Sequence, residues 1–121
     1  MSRKETEEKI RHLQLAEQSL QALMAQKRSL QVQLMEAESA LEELKGAGEA
    51  YKIVGNVMIL SKKPELESEL KERKETMELR IKAIESQEAK TREKAEAIQK
   101  EVMEEMKNDD KNAQPKNSRH D

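Results

Sequence analysis

The chain has 121 residues, 40% of them charged and 35% hydrophobic, with no Phe, Trp or Cys and with Tyr51 as its single aromatic residue. That is about one domain's worth of chain, but it lacks the large aromatic side chains on which a compact core draws. An extended helical structure is expected instead, because Ala, Glu, Lys, Leu and Arg dominate coiled coils and long helices. The 23 basic and 25 acidic residues are interspersed, so no single-sign field attracts nucleic acid or an acidic membrane. Without cysteine there is no disulfide and no thiolate site, which fits a reducing cytoplasm. Residues 1–8 lack an apolar core, so no secretory leader is expected, and no apolar run approaches the ~20 residues that span a bilayer.

The first segment runs from about Glu5 to Lys45. At alternating spacings of three and four it presents Leu13, Ala16, Leu20, Leu23, Lys27, Leu30, Leu34, Ala37, Leu41 and Leu44. That seam marks a coiled-coil helix, roughly 60 Å long at ~1.5 Å per residue. Gly46-Ala47-Gly48 ends it, with glycine where a helix C-cap is expected.

A short island of different chemistry follows, Tyr51 to Leu60. Two apolar, largely β-branched runs flank Gly55-Asn56, a two-residue loop suited to a type II′ turn. The spacing predicts a β-hairpin over 51–60, apolar on both faces. Pro64 suits the first turn of a second helix, expected from about Glu65 to Lys107. Its looser stripe is Leu66, Leu70, Met77, Ile81, Ile84, Glu88, Thr91, Ala95, Ile98, Val102 and Met106. Residues 108–121 are polar, include Pro115 and show no apolar period, so they read as a disordered tail.

Folding back at Gly55-Asn56 pairs residues whose numbers sum to about 111, assuming equal helical rise on both arms. Leu41 then faces Leu70, Leu34 faces Met77, Leu30 faces Ile81 and Leu13 faces Ile98. The two seams match although neither pattern was built on the other. The expected fold is therefore mainly α, an antiparallel two-helix coiled coil over 1–107 with a central β-hairpin. Lys27 and Glu88 interrupt the seams, either as a pair that fixes the register or with Lys27 extended to solvent.

A two-stranded hairpin is marginal alone in water, and apolar faces with open edges are an aggregation hazard. Tyr51, Ile53, Val54, Gly55, Asn56, Val57, Met58, Ile59 and Leu60 are therefore the candidate assembly element, pairing with hairpins of other chains. At the far ends of the helices the apolar residues spill off the seam. Ile10, Leu13, Leu15, Val102, Met103 and Met106 form a candidate interaction surface, and methionine suits varied partners. Leu13 and Ile98 also read as residues that close the seam.

No catalytic constellation is present. His12 and His120 are the only histidines, no metal-ligand spacing such as HExxH occurs, and Gly46-Ala47-Gly48 lacks the context of a phosphate loop. An enzyme, a cofactor and a metal site are not expected.

The stretch Ala50-Tyr51-Lys52-Ile53-Val54-Gly55-Asn56-Val57-Met58-Ile59 resembles the hairpin of the β-type prefoldin subunit, with its Tyr-Lys…Gly-Asn signature. Leu66 to Ile81 and Glu85-Ser86-Gln87-Glu88 match as well, and the resemblance covers roughly Ile10 to Lys107. One hairpin rather than two points to the β type. The resemblance implies a cytoplasmic, ATP-independent holdase: an α2β4 hexamer with an α-type partner, in which hairpins from several subunits form an intersubunit β-barrel. Coiled-coil tips would capture unfolded polypeptides and deliver them to a group II chaperonin. Tyr51 to Leu60 would be the assembly element and the six tip residues would face the client. A structural coiled-coil spacer without client binding is the alternative.

Overall fold

In the computed structural model, residues 2–117 are described, with side chains described over 2–108. The chain order is α1 (Arg3–Lys45), β1 (Ala50–Val54), β2 (Val57–Ser61) and α2 (Lys63–Asn117). The expected helix–hairpin–helix order is present. α2 continues beyond Lys107, over residues expected to form an unstructured tail. Extending an existing helix costs far less than nucleating one, and residues 108–114 contain neither Gly nor Pro. Residues 118–121, also assigned to that tail, lie outside the described residues.

The chain divides into two compact units. A hairpin unit comprises Met24–Glu85, and a terminal unit joins Met1–Leu23 with Ser86–Asp121. Each is held by a narrow seam of α1 and α2 side chains. In the hairpin unit Leu30, Leu34, Leu41, Leu70 and Ile81 are half-buried, while Ala37, Leu44, Met77 and Ile84 are buried. In the terminal unit Leu13, Ala16, Leu20, Leu23, Thr91, Ala95 and Ile98 are half-buried and Val102 is buried. The burial follows the three-four spacing without a break. On α2 it adds positions that the apolar pattern skips: Glu67 and Lys74 are half-buried in register, and Glu105 rather than Met106 continues the seam past Val102. The helical period, not side-chain polarity, decides which side faces the partner.

Lys27 and Glu88 interrupt the apolar seams at the positions expected from the sequence. Lys27 is half-buried in the hairpin unit. Glu88, in the terminal unit, is 3% exposed, with the Arg92 guanidinium one turn along the same helix at 3.9 Å.

Local chemistry sets the helix ends. Ser2 caps α1: its hydroxyl accepts from the Glu5 amide at 3.2 Å and its carbonyl from the Thr6 amide at 3.0 Å, satisfying amides that have no intrahelical partner. The other end of α1 differs from the expected glycine cap. Neither Gly46 nor Gly48 has a positive φ. The last turn instead tightens, with the Gly46 amide donating to Glu43 and the Ala47 amide to Leu44. The Lys63 ammonium then donates to the carbonyls of Lys45 and Ala47, both at 3.1 Å. A cation at a helix C-terminus meets the negative end of the peptide dipoles, so α2 supplies the cap that glycine does not.

The hairpin is antiparallel, pairing Ala50 with Ser61, Tyr51 with Leu60, Lys52 with Ile59, Ile53 with Met58 and Val54 with Val57. Gly55 has φ +62° and Asn56 does not have a positive φ, the combination a type II′ turn requires. A Cβ at Gly55 would meet nothing within 4 Å, so Gly55→Ala is opposed by backbone strain alone, about 1 kcal/mol. Its thermal midpoint should fall by several degrees, whereas Gly46→Ala should leave it unchanged; scanning calorimetry of the two variants checks this.

Candidate functional site: the hairpin and the helix ends

All the large apolar side chains of the hairpin are exposed, including Tyr51, Val54, Val57, Ile59 and Leu60, and most of all Ile53 at 69% and Met58 at 68%. Alternation along a strand explains the two faces. Tyr51, Ile53, Met58 and Leu60 share one face by the strand register, while Lys52, Val54, Val57 and Ile59 share the other. On the second face the Lys52 ammonium reaches Glu69 of α2 at 2.9 Å, and Ala50 is buried, so the base of the hairpin is anchored. Tyr51 donates its hydroxyl to Glu49 at 2.8 Å, and Tyr51 and Ile53 border an open groove with Ala40, Leu66 and Leu70. The sheet has two strands, so each strand keeps one edge without a ladder partner among the described residues. The large apolar side chains of the hairpin are not buried on the chain's own helices.

The six candidate residues at the helix ends divide in two. Val102 is 6% exposed and Leu13 is half-buried; both are seam residues. Ile10, Leu15, Met103 and Met106 are exposed. Beyond Leu13 the seam turns polar, with Thr6 and Lys9 half-buried on α1 and the Lys9 ammonium bound to the Glu101 carboxylate of α2. This pair lies within one residue of the expected register. The terminal unit is thus closed by Val102 and an ion pair, while four large apolar side chains stay in solvent beside it. Val102 falls on the seam because it lies four residues after Ile98 and seven after Ala95.

The sequence assigns no anchoring role to Lys52, Glu69 and Lys63, the residues that hold the hairpin on the helices. Their contacts join positions 16 to 18 residues apart, and no periodic pattern announces them. The exposed Met24, Val32, Met35 and Leu79 also went unmarked, because single apolar residues on solvent faces carry no sequence signal. Among the described residues no group of three or more His, Cys, Asp or Glu could hold a metal ion. No helix among them is long and apolar enough to cross a membrane.

Two long helices joined by an exposed apolar hairpin define the class: a helical-hairpin subunit with an open two-stranded sheet. The family model for prefoldin subunits matches residues 7–109. The β subunit of prefoldin from Archaeoglobus fulgidus is 42% identical over 95 residues, covering 75% of this chain and 82% of that protein. The Thermococcus onnurineus β subunit is 38% identical over 89 residues, covering 71% and 77%. The crystal structure of the prefoldin β subunit from Thermococcus strain KS-1 superposes with a TM-score of 0.78 at 32% identity, over 83% of this chain and 90% of that one. The chain therefore belongs to the prefoldin family, and the subunits it matches are of the β type.

The division of the helix-end residues has a direct consequence. Val102→Ser removes buried apolar area and places a hydroxyl in the seam, which should cost about 2 kcal/mol. Met103→Ser, on the solvent side, should stay within about 0.5 kcal/mol of the parent. Urea unfolding of the two variants distinguishes them.

Proposed function

We propose that this chain is the β-type subunit of a cytoplasmic, ATP-independent holdase, assembled through its hairpin and capturing unfolded polypeptide at its helix ends. The observation that carries the reading is the exposure of Ile10, Leu15, Met103 and Met106 beside a seam that is already closed. Side chains needed only to zip the helices would be covered. Several weak apolar contacts acting together, one set per subunit, hold a client by avidity rather than by one tight site, and no nucleotide chemistry is required for that.

The hairpin supports assembly. Completing the burial of its seven exposed apolar side chains contributes roughly 7–10 kcal/mol at the usual transfer value. Association costs a comparable amount, so pairing of the open strand edges with neighbouring hairpins supplies the remaining gain. Membership of the prefoldin family supports an α-type partner in an α2β4 hexamer, an intersubunit β-barrel as its body, and hand-over of clients to a group II chaperonin. Neither nucleic acid nor membrane belongs to the partner set, since the charge is mixed along both helices.

Two measurements test the halves of this reading separately. Ile53→Asp combined with Met58→Asp places charge on the more exposed hairpin face. The double variant should lose assembly with itself or with an α-type subunit, by mass in solution, while its helix content by circular dichroism is retained; an unchanged mass refutes the assembly role. The quadruple variant Ile10→Ser, Leu15→Ser, Met103→Ser and Met106→Ser should assemble normally yet lose most of its suppression of aggregation of a denatured model client. Undiminished suppression would leave a structural spacer as the function.

A further inference from the structure

The terminal unit has two chemically different sides. In heptad terms, with seam positions labelled a and d, Leu13 and Val102 are a, Lys9 and Ile98 are d, and every other position follows by the period. When two helices run antiparallel, their e positions lie together on one side of the seam and their g positions on the other. The Lys9–Glu101 ion pair, between a d position and a g position, lies on the g side.

On the e side, Ile10 (e), Met103 (b) and Met106 (e) are all exposed and form an apolar strip. Glu7, the acidic residue bordering it on α1, is matched by Arg3 at 3.7 Å. Along the two outer margins of the strip, at the f positions of both helices, stand Lys4, Arg11, Lys100 and Lys107, all exposed. The g side reads the opposite way. Its c and g positions over residues 3–12 and 100–108 carry Glu5, Glu8, Glu101 and Glu104, with no lysine or arginine. Interspersed charge along the sequence thus resolves, on the helix surface, into an apolar strip with basic margins and an acidic side across the seam.

We propose that the e side of the terminal unit is the client-contacting face, and that it favours extended apolar segments accompanied by aspartate or glutamate. This rests on the holdase reading and deepens it. The apolar strip supplies sequence-tolerant contact through flexible methionines. The basic margins attract acidic residues flanking the bound segment and disfavour lysine-rich ones. Leu15, at a c position, lies on the other side of the seam and is not part of this strip.

The test uses the full-length protein in its assembled form and two fluorescein-labelled peptides. Both carry the same Leu/Val-rich core, one flanked by four glutamates and the other by four lysines. At low ionic strength the acidic peptide should bind about tenfold more tightly, as expected from several exposed charge pairs acting together, and 0.5 M salt should erase the difference. Reversing the margins with Lys4→Glu, Arg11→Glu, Lys100→Glu and Lys107→Glu should invert the preference. Neutralising the g side with Glu5→Gln, Glu8→Gln and Glu104→Gln should leave it in place. Equal binding of the two peptides, a lysine preference, or a preference that survives the margin reversal would overturn the proposal. Failure of the holdase reading is separately visible: binding of the uncharged core peptide would then be unaffected by Ile10→Ser, Met103→Ser and Met106→Ser.

Discussion

The seam between α1 and α2 is the interaction on which the rest depends. No large side chain in the described chain is fully buried, and the buried apolar set is small: Ala37, Leu44, Ala50, Met77, Ile84 and Val102. Two helices share one stripe each, and a stripe is too narrow to enclose a side chain on all sides. The large apolar residues off that stripe remain in solvent unless another chain covers them. The exposed hairpin and the exposed methionines are therefore two consequences of a single geometric limit.

The hairpin shows how a small element is held in an unfavourable setting. Its turn relies on the one glycine with a positive φ. Its base is secured by long-range polar contacts, Lys52 to Glu69 and Lys63 to the end of α1. These contacts fix the hairpin on the helices without covering its apolar faces. Anchoring and exposure together leave a preformed strand pair open to solvent.

The heptad pattern made nearly all of the seam legible, because the period that defines a helix face is independent of environment. Its failures are instructive. Met106 reads as a seam residue by hydrophobicity, yet the spacing from Val102 places Glu105 there instead. Val102 reads as an interaction residue by its neighbours, yet the same spacing buries it. Beyond Lys107 the apolar period stops while α2 continues to Asn117, since a helix already formed propagates through polar residues at little cost. In each case composition competed with geometry, and geometry prevailed. The glycine cap expected after Lys45 failed for a different reason: a lysine from α2, remote in sequence, caps those carbonyls.

By itself the sequence determined the order of elements, the register of the helices, the turn type and the membership of the prefoldin family. All of these are written in short-range spacing or in a local motif. Only the tertiary structure decided which apolar residues near the helix ends are covered and which stand free. It also revealed that charges mixed along the chain separate into basic margins and an acidic side. Sidedness of that kind needs two helices set against each other, because a single helix does not define which of its flanks meets the flank of another.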